Sequence, residues 1–405
     1  MRTQHNHPAR SQLRLLAAGT PRPLTPAASA HLDLIRGLAA WAVMWDHLRG
    51  LFFVDFQQVN HLSLFLKGIY FFTGFGNEAV LVFFVLSGFL ISSVILGRRA
   101  SGTWSWRDYA IDRACRLYVV LIPGLFLGLL WDRLGSSIFA STGIYSHPLE
   151  NFAAAVVQTR LGIGTFLGNM FFLQTIVVPT FGSNGPLWSL ANEFWYYVLF
   201  PVALAGTIVW NQRSIRRAVP LTVLAACVAV FVGWPILLGF PIWLAGTVLV
   251  VAYSKCPLLS EGRLGLYVLL SSAVLSACLI VARTNKSFVL GGNLAVGIGF
   301  GLFLFGVIHM NFGAGGTGYP RIAHVLAGFS YSLYVLHFPF LLFLRAWMVP
   351  AQRWQPDAAH LGLGVVIGAI TLGVAWLFSL FTENKTRAAR QWMRNVVPAL
   401  DNGSR

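Results

Sequence analysis

Three ionisable residues sit in the stretch RGLAAWAVMWDHL, Arg36 to Leu48, where nearly every neighbour is apolar. Histidine is the side chain whose ordinary titration lies nearest neutral pH, so His47 is a candidate general base. Arg36 precedes it by eleven positions. On a helix this spacing sets the two side chains about 20° apart around the axis and about 16 Å apart along it. One helix face then carries a cation near one end and an imidazole toward the other. Asp46 is adjacent to His47 and points about 100° away, so it is not an automatic partner.

Three further stretches share this character. In RRASGTWSWRDYAIDRACRLY, residues 98–118, Arg113 and Arg116 are three apart and fall on one helix face. Forked guanidinium groups there suit a phosphorylated ligand, and equally an interfacial anchor partly neutralised by Asp108 and Asp112. In NGPLWSLANEFWYYVLFP, residues 184–201, Glu193 follows Ser189 by four and shares its face, with Trp188 alongside. A carboxylate at that place can orient a histidine or pair with an arginine. In SYSLYVLHFPFLLF, residues 330–343, Tyr334 and His337 are three apart on one face. A structural, hydrogen-bonded histidine is the favoured reading of His337.

These groups must be positioned by apolar helices. The 405 residues are 56% hydrophobic and only 10% charged, with mean hydropathy +0.68. A soluble domain carries about 25% charged residues. The composition therefore predicts an all-α fold, a polytopic bundle of about ten transmembrane helices. The candidate spans are 31–52, 78–97, 114–131, 186–210, 218–234, 236–253, 264–282, 288–309, 322–345 and 361–381. Residues 1–30 are basic and proline-rich, lack a signal-peptide core, and read as a disordered cytoplasmic tail. The membrane domain runs over 31–382, and 383–405 is a second basic cytoplasmic tail. The outer segment 132–185 is too apolar for a free loop and is expected to lie along the interface or to re-enter the bundle.

The net charge of +16 has a topological reading. With both termini inside, the inner segments hold 20 of the 29 Lys and Arg, the outer ones eight, and Arg36 lies within a span. This asymmetry follows the positive-inside rule, and nucleic acid is not needed to explain it. The four cysteines, Cys115, Cys227, Cys256 and Cys278, lack metal-ligand spacing and read as small buried hydrophobes.

Taken in order, these stretches resemble the acyltransferase-3 family of integral membrane acyltransferases. LDLIRGLAAWAVMWDHL is similar to its first helix, with an arginine, ten residues and a histidine. VFFVLSGFLI resembles the second, and RDYAIDRACRLY the paired-arginine segment after it. LGNMFFLQ followed by LWSLANEFWYYVLFP resembles the fourth span, and SYSLYVLHFPF the ninth. Two features depart from the pattern: Val119 follows Tyr118 where a proline is common, and the closing motif is ENK from Glu383.

The resemblance implies transfer of an acyl group, usually acetyl, from cytosolic acyl-CoA to a hydroxyl of a glycan or glycolipid outside. The setting is the inner membrane of a bacterium, among membrane lipids. Acyl-CoA is a donor substrate; no permanently bound cofactor and no metal are implied. His47 becomes the catalytic residue. Arg36, Arg113 and Arg116 map onto arginines linked to donor binding and catalysis, and Glu193 onto the glutamate after the Trp-Ser-Leu motif. Trp188, Ser189, Tyr334 and His337 are candidate substrate contacts. Direct transfer is favoured over an acyl group resting on the protein. Two alternatives stay open: a lipid or small hydrophobic acceptor, and a transporter, since intramembrane Arg, His and Glu also mark substrate paths.

Overall fold

The computed structural model describes residues 21–148, 156–256, 260–284, 289–311, 318–349 and 352–397. Residues 1–20 of the tail expected over 1–30, and the end of the second tail, 398–405, lie outside the described residues. Among the described residues there are fourteen α-helices, short 3-10 turns, and only isolated β-bridges. The helices are α1 (Pro26–Phe52), α2 (Leu64–Phe72), α3 (Gly76–Ala100), α4 (Trp106–Ile138), α5 (Ile163–Met170), α6 (Leu187–Asn211) and α7 (Ile215–Leu237). They continue as α8 (Phe240–Lys255), α9 (Glu261–Thr284), α10 (Val289–Val307), α11 (Gly318–Gly328), α12 (Ser330–Met348), α13 (Ala358–Phe381) and α14 (Thr386–Val396).

Among the described residues, eight helical segments are long and apolar enough to cross a membrane. The two other expected spans are α1 and α8. Asp33, Arg36, Asp46 and Arg49 dilute the apolar character of α1. Helix α8 has 16 residues, short of the roughly 20 that a hydrocarbon core requires. Ten is therefore an approximate number.

Several boundaries differ from expectation for local reasons. Helix α1 begins at Pro26, inside the expected tail: Thr25 Oγ1 accepts the Ala28 N–H at 3.1 Å, and proline suits a first helical position. The segment 322–345 is two helices, broken at Phe329 (φ −124°, ψ 10°). Ser330 marks the break by donating its hydroxyl to the Ala327 carbonyl at 2.8 Å. The second tail contains α14 over its described part. Of the cysteines, only Cys115 is buried; Cys227 is exposed on α7, whose outward face would meet lipid, Cys256 is exposed just past the end of α8, and Cys278 is intermediate.

The chain divides into two compact units, to which α1, α3 and α6 each contribute residues. The first holds residues 84–104 and 192–311 with the described residues before 29. Its buried anchor is Trp243, whose indole N–H donates to Ser87 Oγ at 3.1 Å. A Cβ at Gly88 would collide with the Trp243 carbonyl oxygen, so only glycine allows this approach.

The second unit holds 29–83, 105–191 and 312–405. Helices α1, α4 and α12 run parallel here. From one end to the other, Arg36 meets Ala327, His47 meets His337, and Arg345 meets Leu51, all between α1 and the α11–α12 segment. Along α4, the Leu117 carbonyl accepts from Tyr331, Gly128 faces Pro339, and Phe139 packs on Phe343. Met44, Leu48, Leu333, Phe338, Leu341 and Tyr145 belong to one buried cluster in this unit.

Candidate active site

His47 and His337 meet edge to edge in the second unit. Nδ1 of His47 and Nε2 of His337 are 2.7 Å apart, and the ring planes differ by 11°. The centroids are 5.0 Å apart, which is the N···N distance plus one ring radius on each side. The contact line therefore lies in both ring planes, the geometry of an N–H···N hydrogen bond rather than of face stacking.

The proton positions follow from the next bond. Nδ1 of His337 is 2.9 Å from the Leu333 carbonyl oxygen, which can only accept. Nδ1 of His337 thus carries its proton, and in the neutral ring Nε2 is a bare acceptor. His47 must then donate from Nδ1, which leaves its basic lone pair on Nε2. The spacing of four between Leu333 and His337 is one helical turn, so α12 itself sets the first proton of the relay. Phe338 holds the His47 ring edge-on at 5.1 Å.

The arginines lie to one side of this pair along the parallel helices. Arg116 binds Glu383 at 2.8 Å and caps the Tyr331 ring at 5.2 Å. Tyr331 is six residues before His337, hence about 9 Å along the axis. Glu383 is buried and also accepts from the backbone N–H and hydroxyl of Ser332, both at 3.1 Å. Arg113 lies one turn further, over the Tyr109 ring at 5.9 Å. Arg36 pairs with Asp33 at 3.2 Å and reaches the Ala327 carbonyl, at the end of α11, at 3.4 Å. A helix C-terminus attracts cations in this way.

The remaining sequence candidates fall as follows. Ser189 and Tyr334 bring their hydroxyls to 2.5 Å, and Tyr334 also donates to the Pro186 carbonyl at 3.0 Å. Trp188 is half-buried beside them on α6. Glu193 lies in the first unit, where it accepts from Tyr197, one turn away on α6. Asp46 ion-pairs with Arg49, one turn along α1, at 2.9 Å. Arg49 also lies over the Tyr70 ring at 5.3 Å. Asp357, outside the membrane segments, has its carboxyl held below the usual range by the N–H and ring of His360.

Sequence reasoning put His337 on one face with Tyr334 but did not find its pairing with His47. It noted Glu383 only as part of a closing motif, without Arg116 as its partner. The signal was available in kind: a buried carboxylate near an inner-face arginine needs a counter-charge.

Over residues 29–380 the chain matches the family described as Acyltransferase domain. Over 354 residues it is 23% identical to a Bacillus subtilis (strain 168) protein named "Putative peptidoglycan O-acetyltransferase YrhL", covering 79% of this chain and 52% of that protein. The chain thus spans about half the length of that relative. No solved structure matches the chain.

Proposed function

The chain belongs to the acyltransferase-3 family, and from that premise we propose that it is a membrane O-acyltransferase that uses His47 as general base. The donor is acyl-CoA, most simply acetyl-CoA, engaged from the cytoplasmic side. The acceptor is a hydroxyl of an extracytoplasmic glycan, a reading favoured by the name of the Bacillus subtilis relative. The protein resides in the inner membrane with both termini cytoplasmic, in keeping with the charge asymmetry.

The observation that carries this reading is the His47–His337–Leu333 relay. In direct transfer, Nε2 of His47 takes the proton of the acceptor hydroxyl as its oxygen attacks the thioester carbonyl. The C–O bond forms, the C–S bond breaks, and the CoA sulfur leaves with the proton from His47. While His47 is an imidazolium, its Nδ1–H points at the lone pair of His337. His337 thus fills the orienting place that a carboxylate fills in a serine hydrolase triad. Arg113 and Arg116 suit the donor phosphates, because guanidinium groups pair with phosphate in bidentate fashion. The long pantetheine arm then bridges from these arginines to His47 without CoA crossing.

Two measurements test this. Mass spectrometry of surface glycans from cells with and without the gene should reveal acyl esters that depend on it. Detergent-purified protein should bind acetyl-CoA and release CoA when a glycan acceptor is added. A transporter would do neither.

A further inference from the structure

Beside His47 and beyond it from Arg36, Arg113 and Arg116, four buried side chains each keep a polar atom without a hydrogen-bond partner. They are Asp132 Oδ1, Tyr145 OH, Ser183 Oγ and Asn184 Oδ1. Their residues are between 1% and 5% exposed. Buried polar atoms are nearly always bonded, because each one left bare has given up its hydration with nothing in return. Four in one neighbourhood require an explanation.

They form one group within the second unit. Oδ2 of Asp132 accepts the Ser183 N–H at 2.8 Å, which fixes the carboxyl plane and leaves Oδ1 as the open acceptor. Gly182 approaches that carboxyl so closely that a Cβ would collide with it; its φ is +56°, which glycine adopts without strain. The Tyr145 ring packs on Gly135, three residues from Asp132 on the same face of α4. Burial raises the Tyr145 phenol well above its ordinary range, and the neighbouring Asp132 carboxylate adds to the rise. Asn184 donates its amide N–H to the Val335 carbonyl at 2.7 Å. That carbonyl is two residues from His337, so the group adjoins the histidine pair. Asp132 itself lies one turn past Gly128, which faces Pro339. It is therefore about 9 Å beyond His337 along the axis.

We propose that Asp132, Tyr145, Ser183 and Asn184 bind the hydroxyl-bearing acceptor and hold one hydroxyl toward Nε2 of His47. This rests on the acyltransferase reading and assigns its acceptor site. The donor and acceptor mixture is the reason for choosing a sugar. Two atoms, Asp132 Oδ1 and Asn184 Oδ1, are acceptors, and two hydroxyls can act either way. Adjacent sugar hydroxyls, each both donor and acceptor, satisfy such a set; a phosphate or carboxylate ligand would meet the Asp132 oxygen with like polarity. Arg36, Arg113 and Arg116 lie on the opposite side of His47 from Asp132 and Tyr145, which separates an anionic donor from a neutral acceptor.

The test uses full-length protein in detergent, acetyl-CoA, and a β-linked N-acetylglucosamine tetramer as the probe. Two variants are chosen to keep the fold. In Asp132→Asn the amide oxygen retains the Ser183 bond and puts an NH₂ donor where the acceptor stood. Tyr145→Phe removes one oxygen only. Each should raise the tetramer Kd, measured without donor, and the tetramer KM by at least about tenfold. The Kd for acetyl-CoA, measured without acceptor, should stay at the wild-type level. Equal tetramer affinity in wild type and both variants, or no tetramer binding by wild type, overturns the acceptor site. So does a parallel loss of thermal stability and of acetyl-CoA affinity in both variants, which would make the group a structural knot filled by water. Wild-type protein that binds the tetramer but neither binds nor hydrolyses acetyl-CoA would overturn the acyltransferase reading instead.

Discussion

Replacing His337 by phenylalanine removes one nitrogen lone pair from beside His47 and leaves an aromatic ring in its place. Burial and packing on α12 should survive, since His337 is 1% exposed among apolar neighbours. The bond that is lost, 2.7 Å between the rings, is charge-assisted only after His47 has taken the acceptor proton. Hydrogen bonds to charged groups contribute about 1.5–3 kcal/mol, so transfer should slow by roughly 10- to 160-fold. The loss belongs in kcat, because the bond strengthens only along the reaction; the KM for acetyl-CoA should not move. His337→Gln keeps an acceptor oxygen and should recover most of the rate. His47→Ala should lose about 100- to 10,000-fold. The decisive quantity is the double variant. If the two histidines work as a unit, His47→Ala/His337→Phe is no slower than His47→Ala alone. The assay is transfer of a labelled acetyl group to a glycan acceptor under saturating donor. Losses that multiply in the double variant, or a His337→Phe enzyme with wild-type kcat, would refute the relay.

Arg113→Ala should weaken acetyl-CoA binding, read by titration calorimetry, while leaving the thermal midpoint unchanged. Arg116→Ala strands the buried Glu383, so it should lower the thermal midpoint as well, and Arg116→Ala/Glu383→Gln should restore part of it; equal midpoints in all three would deny the ion pair a structural role. Gly124 lies so close to Val335 that a Cβ would overlap that side chain. Gly124→Ala should therefore destabilise by about 1–3 kcal/mol, and Val335→Ala in the same chain should relieve it, as thermal unfolding would report. Cysteines placed at Asn6 and Ser404 should resist impermeant labelling from outside; labelling at both would reverse the orientation and the side of donor entry.

Much of the architecture was legible because it depends on local chemistry. A charged fraction of 10% and runs of about 20 apolar residues leave a helical membrane bundle as the available solution, since backbone polar groups in lipid must pair within their own helix. The Arg36-to-His47 spacing predicts one shared face for the same reason: helical geometry repeats every few residues. The structure keeps both residues on α1. The break at Phe329 left only a local sign in Gly328 and Ser330, because the stretches beyond them, IAHVLA and YSLYVL, are apolar enough to continue a helix.

What only the tertiary structure decided is partnership across long sequence separations. His47 and His337 are 290 residues apart, and Arg116 and Glu383 are 267 apart. No local periodicity relates such positions; α1 must pack on α12 before the first pair exists, and α4 must meet the turn that follows α13 before the second does. Glu193 illustrates the converse. From sequence it was a candidate to orient a histidine, but one helical turn supplies it with Tyr197 in the first unit, while His47 is met by His337 in the second. Residue types and spacing thus identified which groups can carry a proton or a charge. Which of them share that proton or charge was settled by helix packing, because a hydrogen bond needs its partners within about 3 Å and in line.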